Sequence, residues 1–268
     1  MHLPPPASSS TALVTGASSG IGAEIARELG RRGHNLVLVA RRADLLEALA
    51  AELGDRSGVR ADVIAADLGV AGERDRLAAD VEALGMAVEV LVNGAGFGST
   101  GDLHRDERES LLAMVRLNCE ALLDFQARYS PAMAERGRGA IINLASTAAF
   151  QPMPGNAAYA ASKAFVLSLG EATHAELSGS GVTVTVVCPG PVKTEFADVA
   201  GIANSEDRVP GFVWTPVEDV ARAAVEGADR GRRVVVPGVL NRAGAISGQH
   251  APRALALPLV KRIWSRAL

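Results

Sequence analysis

Tyr159 and Lys163 are the residues whose spacing first suggests chemistry. They stand four positions apart in a segment of helical periodicity, so their side chains share one face of the predicted helix and can reach a common ligand. An unperturbed phenol has a pKa near ~10, and a neighbouring ammonium favours the phenolate by ~1–3 units. We therefore predict that Tyr159 is a general acid or base whose pKa Lys163 lowers.

A glycine-rich segment, Thr15–Gly22, is the candidate phosphate-binding site. Its sequence, Thr-Gly-Ala-Ser-Ser-Gly-Ile-Gly, follows a predicted strand and opens a predicted helix. Glycine permits a tight turn and a close ligand approach, and a helix N-terminus adds unpaired amides with partial positive charge. The pattern predicts pyrophosphate binding, with a close helix-to-strand junction as the alternative. The predicted contacts are Gly16, Ser18, Ser19, Gly20, Ile21 and Gly22.

Two arginines at the end of the second predicted strand bear on which dinucleotide would bind. An acidic side chain here would favour the ribose 2′-hydroxyl of NAD. Arg41, with Arg42 beside it, instead favours the 2′-phosphate of NADP, because a guanidinium offers phosphate a planar pair of donors. Asp44 is the nearest carboxylate, but it stands where a helix N-cap is expected. The alternative is a solvated arginine pair.

Ser146 and Asn118 are further candidates for polar roles. Ser146 follows a predicted strand, so its hydroxyl can enter the crevice at the carboxyl edge of the sheet and bind a substrate carbonyl. A turn or cap serine is the alternative. Asn118 lies inside a helical pattern, where asparagine is mildly unfavourable, which indicates either a polar role or a buried structural amide.

The elements that position these residues alternate between short apolar runs and longer helical patterns. This alternation predicts an α/β fold, a doubly wound Rossmann-type parallel sheet of seven strands with helices on both faces, in a single domain. The predicted strands are Ala12–Thr15, Leu36–Ala40, Asp62–Ala65, Val88–Val92, Ala140–Leu144, Val182–Val187 and Arg233–Val236. The predicted helices lie near Ile21–Arg32, Ala43–Leu53, Glu73–Leu84, Glu107–Glu135, Ala157–Ser178 and Pro216–Arg230.

The chain divides into a leader, a catalytic domain and a C-terminal extension. We predict a disordered leader over residues 1–10, and this stretch lacks the basic head and apolar run of a signal peptide. Residues 11–236 form the predicted dinucleotide-binding domain, with a substrate loop at about 195–215. In the extension, residues 237–268, apolar residues recur at helical spacing with basic residues between them. A basic amphipathic helix there is a candidate for membrane-surface or partner contact.

Composition narrows the function classes. Hydrophobic residues make up 48% and charged residues 21% of the 268, which predicts a globule with a large core. A net charge of −3 and 4% aromatic residues argue against nucleic-acid binding, which uses basic surfaces and stacking side chains. The two cysteines and five scattered histidines form no metal-binding pattern, and no apolar stretch approaches ~18 residues. We predict no metal site, no transmembrane segment and a reducing, cytoplasmic compartment.

Taken in order, these motifs resemble those of the short-chain dehydrogenase/reductase family from Thr11 to about Val236. The glycine-rich segment resembles that family's Thr-Gly-x-x-x-Gly-x-Gly motif, and Tyr159 with Lys163 matches its Tyr-x-x-x-Lys. Ser146 stands thirteen residues before the tyrosine, and Asn118 falls where the family places its active-site asparagine. The resemblance implies that Tyr159 transfers the proton and Lys163 binds the nicotinamide ribose. It also implies that Ser146 orients the carbonyl and Asn118 holds a proton-relay water.

The resemblance extends to the remaining cofactor contacts. It implies that Asp67 and Leu68 contact adenine and that the segment with Asn93, Ala95 and Gly96 approaches adenosine. Gly94 departs from the family's usual asparagine, which removes one side-chain hydrogen bond. Residues implied to frame the nicotinamide are Pro189, Gly190, Val192 and Thr194. The family also implies a homodimer or homotetramer.

The predicted function is an NADP(H)-dependent hydride transfer between the nicotinamide and a carbonyl or alcohol carbon, with reduction as the cellular direction. Apolar residues near the crevice indicate an uncharged, apolar substrate, although each fits ordinary core packing equally well. These residues are Phe97, Phe150, Met153, Phe196, Phe212 and Trp214. Two alternatives are a 3-oxoacyl thioester reductase and a cofactor-binding sensor or scaffold without turnover.

Overall fold

The computed structural model of the chain describes residues 2–196 and 211–264. Seven parallel strands form one sheet in the order β3-β2-β1-β4-β5-β6-β7, with helices on both faces, which confirms the predicted Rossmann-type architecture. The strands are β1 Ser10–Thr15, β2 Leu36–Ala40, β3 Ala61–Ala65, β4 Ala87–Asn93, β5 Gly139–Leu144, β6 Val182–Val187 and β7 Val234–Val235.

The strands are apolar because helices cover both faces of the sheet. Successive side chains of a strand point to opposite faces, so Ala12 and Val14 of β1 enter one core cluster and Leu13 enters the other. The helices are α1 Gly20–Arg31, α2 Ala43–Ser57, α3 Ala71–Ala83, α4 Arg108–Val115, α5 Leu122–Glu135, α6 Ala157–Glu176, α7 Val217–Asp229, α8 Val239–His250 and α9 Arg253–Trp264. Helices α1, α2 and α7 pack on the first face, whereas α3 and α5 pack on the second.

The strand order reverses between β1 and β4, and this reversal opens a crevice at the carboxyl ends of the two strands. Thr15, the last residue of β1, joins them. Its Oγ1 donates to the Val92 carbonyl (3.1 Å) and accepts from the amides of Gly94 (3.0 Å) and Ala95 (3.2 Å). The two loops that leave these strands are therefore held side by side.

The helix predicted over residues 107–135 is interrupted. Between α4 and α5, residues Arg116–Ala121 form a π-helical turn, a widened turn that is frequent at functional sites. Asn118 lies in this turn, and its amide bonds the backbone of Phe97. The sequence pattern does not reveal the interruption, because it accompanies a contact with a distant loop.

The C-terminal extension contains two helices. Helix α8 was not predicted, whereas α9 lies where the spacing of apolar residues indicated a helix. Several side chains of the predicted apolar face, among them Leu259, Ile263 and Trp264, lie outside the described part, as does Ala267. Contact with a membrane surface therefore stays a prediction. No helix within residues 2–196 and 211–264 is long and apolar enough to cross a membrane.

The leader departs from the prediction of disorder. The Leu3 side chain is only 8% exposed and belongs to the same core cluster as α1 and α7. The amide of His2 donates to the Asp229 carbonyl at the end of α7 (2.9 Å). One buried leucine and one backbone hydrogen bond thus attach this segment to the core.

Replacing Leu3 with Ala tests whether the leader contributes to stability. The substitution should lower the free energy of unfolding by about 2 kcal/mol, because it removes buried methyl groups and leaves a cavity. Urea denaturation of the purified protein measures the change, with the exposed Ser8→Ala as the matched control. Equal unfolding midpoints for Leu3→Ala and the control would show that the leader does not pack on the core.

Candidate active site

One cavity of about 950 Å³ lies along the carboxyl ends of the strands and contains most of the predicted site residues. Its walls include the loops that follow β1 to β6, the beginning of α6 and part of α8. The predicted residues that line it are Gly16, Ser18, Ser19, Gly20, Ile21, Gly22, Arg41, Arg42, Asp67, Leu68, Ala95, Gly96, Ser146, Tyr159, Lys163, Pro189, Gly190, Val192 and Thr194. Asn93 and Asn118 are predicted site residues that do not line it.

The glycine-rich segment forms a backbone cradle that only glycine fits. Gly16 (φ 71°) and Gly20 (φ 56°) adopt left-handed conformations, which side-chain-bearing residues rarely adopt. A Cβ at Gly16 would lie 2.7 Å from the Gly94 carbonyl oxygen. Helix α1 begins at Gly20 with no acidic residue in its own first turn, and the Glu195 carboxylate from another loop binds the side chain of the N-cap residue Ser19. The cradle can hold an anionic phosphate group.

The two arginines after β2 have different surroundings. The Arg42 Nη2 donates to Ser19 Oγ (2.9 Å), Ser18 Oγ (3.2 Å) and Glu195 Oε2 (2.8 Å). The hydrogen bond from Arg42 lowers the pKa of Glu195. Arg41 lines the cavity and has no hydrogen-bond or ion-pair partner among the described residues. Arg41 is therefore the better placed of the two to receive a further anionic group.

Two acidic residues near this end of the cavity, Asp44 and Asp67, have different positions. Asp44 lies in the first turn of α2 and is absent from the described cavity walls, and Arg42 is the N-cap residue instead. Asp67 Oδ1 accepts from the Gly69 amide (2.9 Å), so its carboxylate forms a turn immediately after β3. The carbonyl of Leu68 accepts from the buried Arg74 (2.9 Å). The loop after β3 is thereby fixed at the cavity wall.

Asn93 has a structural contact rather than a place in the cavity wall. Its Nδ2 donates to Asn143 Oδ1 (2.9 Å), which joins the ends of β4 and β5. The glycine that follows it is required by packing, because a Cβ at Gly94 would lie 2.6 Å from the Thr15 carbonyl oxygen. The departure from the family's usual asparagine thus lets the loops after β1 and β4 approach closely.

The Asn118 side chain holds the loop after β4. Its Oδ1 accepts from the Phe97 amide (3.1 Å), and its Nδ2 donates to the Phe97 carbonyl (2.9 Å) and to Ser162 Oγ (3.1 Å). Both amide protons are thus used within the protein. Both interpretations of Asn118 remain compatible with this geometry, and its contact with a relay water stays a prediction.

Lys163 is a buried cation at the end of β5. Its side chain donates from Nζ to the Leu144 carbonyl (2.9 Å), and Nζ lies 5.8 Å from the centroid of the Tyr159 ring. Burial lowers the pKa of Lys163 to about 8, because the ammonium has lost most of its water. The amine is therefore still mainly charged at neutral pH.

The environment of Tyr159 corrects the prediction that Lys163 lowers its pKa. Burial raises the pKa of Tyr159 to about 12, and a hydrogen bond with Ser146 opposes this only in part. The ring of Phe196 packs against it, with centroids 5.6 Å apart. The phenolate is disfavoured because these surroundings exclude water, while the ammonium is bound to the Leu144 carbonyl.

The C-terminal extension supplies cavity residues that the sequence analysis missed. Asn241 of α8 donates from Nδ2 to Thr215 Oγ1 (3.1 Å) and packs so closely on Gly190 that a Cβ there would lie 2.3 Å away. The sequence does contain one sign of this helix, because the small residues at positions 244, 245 and 248 recur on one face of α8. The residues of α8 that line the cavity are Leu240, Asn241, Gly244 and Ala245, and Gln151 and Asn156 are among the other cavity residues that the sequence analysis did not name.

The apolar residues predicted to line the crevice divide into three groups. Those that line the cavity are Phe97, Met153, Phe196 and Trp214. Phe150 is absent from the described cavity walls and packs in the core cluster of α6 and β6 instead. The Phe212 side chain and residues 197–210 of the predicted substrate loop lie outside the described part of the chain.

Comparison with known proteins shows a consistent likeness. Residues 10–203 match a family model described as short chain dehydrogenase. A very-long-chain 3-oxoacyl-CoA reductase of Anas platyrhynchos is 33% identical over 222 residues, which cover 80% of this chain and 67% of that protein. A solved short-chain dehydrogenase from Sphingobium yanoikuyae in complex with NADPH has a TM-score of 0.79 and 38% identity, covering 89% of this chain and 92% of that one. A bulky-bulky ketone specific alcohol dehydrogenase from Comamonas testosteroni has a TM-score of 0.75 and 32% identity, covering 97% and 94%.

Burial of the Lys163 amine should affect how the free energy of unfolding depends on pH. Because the pKa of Lys163 falls from 10.5 to about 8 on folding, the unfolded chain binds more protons between these values. The contribution of Lys163 to the free energy of unfolding therefore rises from pH 8 toward 10.5. Lys163→Met should remove this rise and stabilise the protein at pH 7.

Urea denaturation between pH 7 and 10 measures this difference between wild type and variant. The exposed Lys261→Met is the matched control and should follow the wild-type curve. Parallel curves for wild type and Lys163→Met would contradict a lowered pKa of the buried amine.

Proposed function

The chain belongs to the short-chain dehydrogenase/reductase family, and we propose that it is an NADP(H)-dependent oxidoreductase that reduces a carbonyl compound to an alcohol. The observation that carries this proposal is the shared cavity. Tyr159, Ser146 and Lys163 line the same crevice as the glycine cradle, so a proton donor and a phosphate-binding backbone face one space. This is the arrangement that hydride transfer from a bound dinucleotide requires.

The residues present fit such a cofactor. The cradle around Gly16 and Gly20 suits a pyrophosphate, and Arg41 suits a 2′-phosphate. Thr194 closes the cradle from above, since a Cβ at Gly20 would lie 3.2 Å from its Cγ2. The NADPH bound to the Sphingobium yanoikuyae relative supports the preference for NADP(H). The adenine and nicotinamide contacts predicted from the sequence belong to this proposal.

In the proposed mechanism the protein positions the carbonyl and moves the proton. NADPH, when bound, supplies the hydride. Ser146 donates a hydrogen bond to the carbonyl oxygen, and Tyr159 Oη transfers its proton to the same oxygen as negative charge develops there. This step leaves a phenolate near the Lys163 ammonium, whose Nζ lies 5.8 Å from the centroid of the tyrosine ring. A pKa of about 12 keeps Tyr159 protonated at neutral pH, which favours reduction.

The substrate is proposed to be a bulky carbonyl compound with apolar substituents. Phe97, Met153, Trp214 and Leu240 give the cavity apolar walls. Gly244 also lines it, and no atom lies within 4 Å of the position its Cβ would occupy, so this side has room for a large group. The bulky ketones named for the Comamonas testosteroni relative support this class.

A 3-oxoacyl thioester is the second candidate substrate. The name of the Anas platyrhynchos relative supports it, and the same apolar walls would accept an acyl chain. A non-catalytic sensor is the remaining alternative, and the absence of NADPH oxidation across a broad panel of carbonyl compounds would favour it. The cytoplasmic location and the homo-oligomer stay predictions.

Replacing Tyr159 with Phe tests the proposed proton donor. Turnover with NADPH and a responsive ketone should fall at least about 100-fold, because no other group is assigned to protonate the alkoxide. NADPH binding, followed by fluorescence, should change little. Tyr129→Phe is the matched control, since its buried hydroxyl has no hydrogen-bond partner among the described residues. Wild-type turnover in Tyr159→Phe would remove the phenol from the mechanism.

The proposed preference for NADPH depends on Arg41. Arg41→Asp should weaken NADPH binding about tenfold or more and leave NADH binding within a few-fold, because a carboxylate repels a 2′-phosphate and can accept from a 2′-hydroxyl. Titration calorimetry with both dinucleotides measures the ratio. Arg56→Asp, at the far end of α2, should leave it unchanged. An unchanged ratio in Arg41→Asp would show that another group binds the phosphate.

A further inference from the structure

Asn156 is a buried asparagine whose side chain has no evident structural task. It is the N-cap residue of α6, three positions before Tyr159, and it is 7% exposed. An asparagine at an N-cap usually accepts a hydrogen bond from an amide of the first helical turn. The Asn156 side chain makes no such bond, although it stands where capping would be easy.

The carboxamide of Asn156 also lacks other partners. Its Oδ1 is enclosed without a donor, whereas its Nδ2 is not enclosed in this way and donates no hydrogen bond to the described residues. Each of the other buried asparagines donates a side-chain hydrogen bond within the protein. These are Asn93, Asn118, Asn143 and Asn241. The enclosed oxygen cannot reach a ligand, but the Nδ2 group has no acceptor among the described residues and is the donor that Asn156 can offer to a molecule in the cavity.

The position of Asn156 indicates what that partner is. The side chain lines the same cavity as Tyr159 and Met153, one helical turn from the phenol. Side chains three positions apart on a helix lie about 5–6 Å apart at their Cβ atoms, a scale that suits two oxygens on alternate carbons of one molecule. The terminal torsion of an asparagine is broad and two-fold, so the amide can turn an N–H toward a ligand in the cavity.

We propose that Asn156 donates a hydrogen bond to a second oxygen of the substrate, and that it thereby selects 3-oxo esters and 3-oxo thioesters over simple ketones. Tyr159 and Ser146 bind the oxygen of the ketone that is reduced, whereas Asn156 binds the ester or thioester carbonyl oxygen two carbons away. This inference rests on the proposed reductase function and favours its second candidate substrate class, the 3-oxoacyl compounds, over simple bulky ketones. It assigns a polar contact within a wall that is otherwise largely apolar.

A matched pair of substrates tests the assignment. Ethyl 3-oxohexanoate and 4-nonanone have similar length and the same reacting ketone, but only the first has a second carbonyl. With full-length protein and NADPH, Asn156→Leu should lower kcat/KM for the oxo ester about tenfold or more, mainly through KM. The value for 4-nonanone should change less than about threefold. Asn156→Gln, which keeps a carboxamide, should recover part of the preference.

Thermal unfolding gives a readout that does not depend on turnover. Because Asn156→Leu replaces an unpaired amide by an apolar group of similar size, the midpoint should stay the same or rise. Asn143→Leu is the matched control and should lower the midpoint, since that amide is bonded to Asn93 and Gln126. If Leu at position 156 gives insoluble protein, Asn156→Ala carries the kinetic comparison.

The outcomes separate the inference from the proposed function. Equal losses on both substrates, an unchanged preference, or a clear drop in the midpoint of Asn156→Leu would overturn the role of Asn156 while the reductase function stands. Failure of the wild type to reduce either substrate or any other carbonyl compound would overturn the reductase function itself. A selective loss on the oxo ester with unchanged stability is the expected result.

Discussion

The burial of a charged amine against the end of one strand is the constraint on which the site depends. Lys163 donates to the Leu144 carbonyl at the carboxyl end of β5, with only 6% of the residue exposed. Removing an ammonium from water is costly, and the depressed pKa of Lys163 reflects that cost. The contact fixes α6 relative to the sheet and sets the phenol of Tyr159, one turn earlier, at the cavity wall.

A series of hydrogen bonds between buried side chains supports the same arrangement of strands and helices. Asn93 donates to Asn143, Asn143 donates to Gln126 of α5 (2.7 Å), and Gln126 donates to Thr173 of α6 (2.8 Å). Each link joins a different pair of elements, so β4, β5, α5 and α6 have a defined register rather than a merely apolar contact. These donated hydrogen bonds help to specify one packing of the elements, although Asn93 Oδ1 itself accepts no hydrogen bond from the described residues. The positions of the catalytic candidates are thus set by polar contacts within an apolar core.

The sequence predicts the elements of this structure better than their contacts. All seven strands were recognisable because parallel strands covered on both faces are apolar and rich in valine. The cradle was recognisable because glycine spacing reports backbone geometry directly. Helix α8 was missed because its inner face is built from small residues such as Gly244 and Ala245. The pKa of Tyr159 was predicted in the wrong direction, since spacing places the lysine near the ring but cannot report how much water the fold removes.

Reduction and alcohol oxidation need different protonation states of Tyr159, and the raised pKa of Tyr159 favours the state that reduction needs. Reduction begins with a protonated phenol, which burial already stabilises at neutral pH. Alcohol oxidation would begin by taking a proton onto the phenolate, the form that the packing of Phe196 disfavours. Lys163 can offset this only through the charge on its ammonium, and that charge is itself reduced above pH 8 by the same burial. Burial therefore disfavours the charged form of both Tyr159 and Lys163. It keeps the proton on the tyrosine at neutral pH, where that proton can be delivered to a developing alkoxide.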